Sequence, residues 1–93
     1  MNLSELLARL DDFDDEHTIY ISASDAPHAA SSVDVAENPD DGSVPFDGMR
    51  ELMDVWHARD TFNGCRSLLA ADGSGTDHAA CVHRFLTYLE NDA

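Results

Sequence analysis

His57, Cys65, His78, Cys81 and His83 bring imidazole and thiol groups together in the second half of the chain. These are the groups that bind zinc. His78 and Cys81, at i and i+3, can share a helix face. Their spacing to the other three matches no finger pattern, so the expectation is structural. Cys81 borders an apolar stripe as a small buried hydrophobe, and His78 and His83 fall on more polar positions. The run "DDFDDEHTIYIS" from Asp11 tests differently, as a calcium loop. Such a loop needs six to eight oxygen ligands and a glycine at its sixth position. Here the sixth residue is Glu16, and Ile19 stands at the ninth position, where a ligand is required.

Nucleophilic chemistry has two candidate settings. Ser24, Asp25 and His28 lie together in "SDAPH", but no G-x-S-x-G elbow is present, and such residues in a polar stretch serve turns. Asp54, His57 and Asp60 recur at three-residue spacing and read as solvated side chains. The five glycines form no phosphate-binding loop. The expectation is therefore no catalytic residue, no metal, no cofactor and no enzyme activity. Cys65 and Cys81 flank "DGSG" at 72–75 at similar distances. A structural disulfide between them is conceivable across an antiparallel helix pair, but a reduced state is the default in a cytoplasmic protein.

The elements that would position these groups follow from periodicity. Leu3, Leu6, Leu7 and Leu10 form one helical stripe, and Asn2 with Glu5 fits a capping box. "HTIYISAS" (17–24) and "SSVDVAE" (31–37) have strand composition and pair most simply as an antiparallel hairpin. "NPDDGSVP" (38–45) is a loop between an acidic α-β-β half and a helical half. Asp47 then looks like an N-cap for a helix with Met49, Leu52, Met53 and Trp56 on one stripe. Asn63-Gly64 is expected to break it, and Phe62, Cys65, Leu68 and Leu69 resume a helical face. A last helix follows, capped by Thr76, with Val82, Phe85, Leu86 and Leu89 on one side. The whole, residues 1–93, reads as a small single α+β domain in the order α-β-β-α-(α)-α, its antiparallel hairpin packed on helices. Trp56 is read as a core anchor or, alternatively, an exposed interface residue.

Two stretches, "LDDFDDEHTIY" (10–20) and "SVPFDGMRELMDVWHARD" (44–60), resemble segments of a family of small, acidic, uncharacterised bacterial proteins. The shared patterns are L-D-x6-T-I-Y before a strand and G-M-R-x3-D-V-W-x-A-R on a helix. The resemblance implies a fold class and carries no activity and no catalytic residues.

Charge is the compositional outlier. Nineteen acids face five bases, all arginine, for a net charge of −14 in 93 residues. Residues 1–45 carry −10 and residues 46–93 carry −4. A field of this sign disfavours nucleic acid and anionic membrane as direct partners and favours basic proteins. No segment approaches the roughly 18 apolar residues of a membrane span. The N-terminus lacks a signal-peptide pattern, so a cytoplasmic location is expected.

The function expected from this charge is non-enzymatic binding that occludes the basic, nucleic-acid-binding surface of a partner protein. Nucleic-acid mimics, immunity proteins and anti-defence inhibitors work in this way. Asp11, Asp12, Asp14, Asp15 and Glu16 are the expected docking acids, with Phe13 as an apolar anchor. Asp34, Glu37, Asp40 and Asp41 extend the same face. Two other readings stand beside it. One is a salt-adapted globular protein without a special partner. The other is an accessory subunit or homodimer that uses the helical Met/Trp face.

Overall fold

The structure, a computed structural model, describes every residue except Asp25, Asp40, Gly42, Ser74 and Ala93, together with the side chain of Asp92. Helix α1 (Leu3–Ala8) begins with the expected capping box. Asn2 Oδ1 accepts from Glu5 N at 2.8 Å, and Glu5 Oε1 accepts from Asn2 N at 3.2 Å. Leu3, Leu6, Leu7 and Leu10 are all buried, as the stripe predicts. A single 3-10 turn, Leu10–Asp12, leads into the acid run.

Strands β1 (Thr18–Ser22) and β2 (Val33–Ala36) form the expected antiparallel hairpin. A third strand, β3 (Met49–Asp54), pairs antiparallel with β1 on the other side, giving the sheet order β2-β1-β3. The sequence pattern predicts a helix here, and the strand is the main correction to the expected order. Pairing β1 with β3 skips a residue between the Ile19–Met53 and Tyr20–Glu51 pairs, so Leu52 forms a bulge. The bulge resets the strand's alternation and turns two consecutive apolar residues, Leu52 and Met53, toward the helices. The spacing 49/52/53/56 therefore imitates a helical stripe. Met53 is in the core, so Met49, Met53 and Trp56 form no common exposed helical face.

Helix α2 (Val55–Asp72) follows β3 with no intervening loop. It runs through Asn63-Gly64 without the expected break. Gly64 is exposed, whereas Phe62 and Cys65 beside it are buried. Burial of that face outweighs the roughly 1 kcal/mol that a mid-helix glycine costs. Gly73 ends the helix in the left-handed conformation (φ 70°) that a side chain would strain. Helix α3 (His78–Asp92) is capped by Asp77 instead of Thr76: Asp77 Oδ1 accepts from Ala80 N at 3.2 Å.

The three helices cover one face of the sheet. Ile19, Ile21, Val33 and Met53 from the strands meet Leu3, Leu6 and Leu10 of the N-terminal segment, Val55, Ala58 and Phe62 of α2, and Val82 and Phe85 of α3. Phe62 and Phe85 make an edge-to-face contact at 6.2 Å between ring centroids. On the opposite face, buried Tyr20 packs against Phe46 of the β2–β3 connection, with ring centroids 5.6 Å apart.

Candidate partner-binding site

The acid run is first a structural connector. It wraps the N-terminus of α2, whose opening N–H groups lack partners within the helix. Val55 N donates to His17 O at 2.9 Å, and Trp56 N donates to Asp15 O at 3.3 Å. Asp54 occupies the N-cap position, but its side chain does not cap the helix. Asp54 Oδ1 instead accepts from the fully buried Thr18 hydroxyl at 3.0 Å.

One turn into α2, Arg59 reaches back over the connector. Its Nη2 donates to Leu10 O at 2.8 Å and to Phe13 O at 3.3 Å. Nη1 pairs with Asp15, and Nε lies 3.1 Å from Asp11 Oδ1. The Nε hydrogen is not directed at that oxygen, so the Asp11 contact is Coulombic and Nε has no hydrogen-bond partner among the described residues. Asp12 pairs with Arg9 at 3.2 Å. The two stretches 10–20 and 44–60 thus dock on each other, through Asp11 and Thr18 on one side and Asp54 and Arg59 on the other.

Three of the five acids in the run face arginines of the same chain. Asp14 and Glu16 do not. Asp14 Oδ1 accepts from Glu16 N at 2.9 Å, closing a local turn. This turn carries both carboxylates to an open cleft of about 370 Å³, lined by Asp14, Glu16, His17, Glu37 and Asn38. Glu37 arrives directly from the end of β2, where Ala36 pairs with Thr18. Among the described residues, no lysine or arginine lines this cleft.

The other expected docking residues are placed separately. Phe13 is half-buried, packed against the core, with the Arg9 guanidinium carbon 5.9 Å from its ring centroid. Asp34 is exposed on β2, its Oδ1 accepting from Val35 N at 3.2 Å. Asp41 is exposed in the β2–β3 connection, where hydrogen bonds from Ser43 hold its carboxyl below the usual carboxylate range. Asp40 lies outside the described residues. Trp56 is 54% exposed and stacks on His57 with centroids 5.4 Å apart. It is not a core anchor. Its backbone contact with Asp15 sets it beside the connector.

The residues considered for catalysis or metal binding do not converge. His78 Nε2 lies 2.9 Å from Ser4 O, tying α3 to α1. Cys65 and Cys81 are free, buried thiols. Burial pushes the Cys65 thiol above its ordinary value. Ser24 Oγ shares a hydrogen with Ser22 Oγ at 3.0 Å, and His28 N donates to Ser31 Oγ. Asp25, the acid of that trio, lies outside the described residues. Among the described residues, no cluster of three His, Cys, Asp or Glu side chains has a metal-binding arrangement. No helix among them is long and apolar enough to cross a membrane.

No protein-family model, curated protein or solved structure matches the chain. What fold and site define is a small α+β domain with an acidic cleft and an exposed tryptophan in the first turn of the helix that the acid run wraps.

Proposed function

We propose that this chain is a non-enzymatic binding protein whose acidic face docks on the basic, nucleic-acid-binding surface of a partner protein. The observation that carries the reading is the convergence of Asp14, Glu16 and Glu37 on one open cleft without a neutralising arginine. Carboxylates held in such an arrangement receive Arg or Lys side chains by charge-assisted hydrogen bonds. The surrounding field of −14 speeds the encounter. Trp56, exposed and tied by its backbone to Asp15 of the acid run, offers a further stacking surface for an arginine or apolar side chain. Asp11, Asp12 and Asp15 act mainly by shaping the connector and adding to the long-range field. Occlusion of the partner's nucleic-acid site, as in mimicry, immunity and anti-defence proteins, is the functional outcome.

The test is capture from nuclease-treated lysate at low salt, with wild type and an Asp14→Asn/Glu16→Gln/Glu37→Gln variant compared. A basic protein that wild type holds, that duplex DNA displaces and that the variant fails to hold supports the reading. Equal capture by the variant, or capture indifferent to DNA, overturns it.

The absence of lysine alongside 14 aspartates favours a second reading, a salt-adapted globular protein. Its mark is folding that requires molar salt.

A further inference from the structure

Strand β3 pairs only with β1, so its outer edge meets no other strand among the described residues. An open edge carries a row of unpaired backbone N–H and C=O groups, which templates the addition of another strand. Beside this edge runs an apolar groove of about 300 Å³. It lies between β3 and the C-terminal half of α3, with Leu52, Leu86, Leu89, Arg50 and Glu90 in its walls, and Ala26 and Pro27 of the β1–β2 connection also line it. The three leucines pack one side against the core and leave the other side accessible.

We infer that the β3 edge and this groove take an extended peptide segment from a basic partner, with alternating aliphatic and Lys or Arg residues. Successive side chains of an added strand point to opposite faces. Those turned toward the helices enter the leucine groove. Those turned the other way meet Glu51, which pairs with Tyr20 and shares its face. The alternation thus satisfies both faces at once, and the chain's −14 charge favours the basic member.

A second copy of β3 is a poor occupant. Symmetric antiparallel registers centred on Arg50 or Glu51 set like charges opposite each other, which is destabilising. The bulge at Leu52 confines regular pairing of any added strand to the Met49–Glu51 stretch, and a peptide gains further contact by entering the leucine groove beside it. The inference does not rest on the acidic cleft. The groove lies toward the Ile21 end of β1, whereas the cleft lies toward Thr18.

The probe is a fluorescein-labelled heptapeptide of alternating lysine and leucine or valine, followed by anisotropy at physiological salt. The control is the same peptide N-methylated on the backbone nitrogens of alternate residues. Binding to wild type is expected to weaken at least tenfold with the methylated peptide and with Leu89→Lys. Leu86→Lys replaces that variant if circular dichroism shows it unfolded. The Asp14→Asn/Glu16→Gln/Glu37→Gln variant is expected to keep most of the peptide affinity. Failure of wild type to bind, equal affinity for the methylated peptide, or full affinity after the groove is filled overturns the inference. A dimer in sedimentation that excludes the peptide also overturns it, because the occupant is then a second copy.

Discussion

Arg59 Nη2 donates to the carbonyl oxygen of Leu10 at 2.8 Å, across 49 positions of sequence. The bond joins helix α2 to the end of the N-terminal helical segment, and the same guanidinium pairs with Asp15 and sits beside Asp11. An arginine fork suits this task because its donors lie in one rigid plane.

Replacing Arg59 with alanine leaves two partly buried carbonyls without their donor. A loss of roughly 1–3 kcal/mol is expected. The exposed ion pairs add no more than about 1 kcal/mol. Arg59→Lys keeps the charge but not the fork, and should recover only a minor part. Urea unfolding of the three proteins checks this. A loss in Arg59→Ala smaller than about 0.5 kcal/mol would show that the connector holds without the clamp.

The Thr18–Asp54 bond lies where β1, β3 and α2 meet. Thr18→Val preserves shape and removes the donor, at an expected cost of about 1–2 kcal/mol. A double-mutant cycle with Asp54→Ala should return a coupling of roughly 0.5–1.5 kcal/mol. Additive effects would count against a direct bond.

Tyr20 runs the other way. Its hydroxyl is buried and has no hydrogen-bond partner among the described residues. Tyr20→Phe keeps the packing on Phe46 and deletes the unpaired group. Stability should be unchanged or higher by up to about 1 kcal/mol. A clear loss would reveal a partner for the hydroxyl in solution.

Burial raises the Cys65 thiol above the ordinary value of 9.0. The folded chain therefore holds this proton after the unfolded chain has released it. The stabilising contribution is complete below pH 9.0 and is lost as pH rises through that value and beyond. Wild type should lose more stability than Cys65→Ala between pH 8 and pH 10. Parallel losses in the two proteins would remove Cys65 as the cause.

Self-repulsion at −14 is relieved by salt, so the unfolding midpoint should rise with NaCl. A folded protein at roughly 0.1 M salt, where the Debye length is still about 10 Å, fits the binding reading. A chain that folds only near molar salt would shift the weight to salt adaptation.

The parts legible in the sequence are those with unbroken local periods. The Leu3–Leu10 stripe and its capping box stand as read, and so does the β1–β2 hairpin. Strand β3 was hidden because its bulge at Leu52 and its direct run into α2 produce helical spacing by coincidence. Asn63-Gly64 misled because burial of Phe62 and Cys65 overrides a local stop signal. Eight acids were assigned to one face besides Asp40, but sequence could not show which of them arginines already occupy. Arg59 went unnoticed as an organising residue because its backbone acceptors, Leu10 and Phe13, lie 49 and 46 positions away. The sequence pattern fits Trp56 in either core or surface, and only the strand-helix junction decides that it points out.

Because β3 passes into α2 without a loop, the two elements share a fixed phase. One residue inserted between Asp54 and Val55 would rotate every later helical position by about 100°. Arg59 would swing away from Leu10 and Phe62 away from Phe85 together, with no slack to absorb the turn. Chain length at this junction is therefore as constrained as any core side chain. An insertion there should be less tolerated than a substitution of either flanking residue.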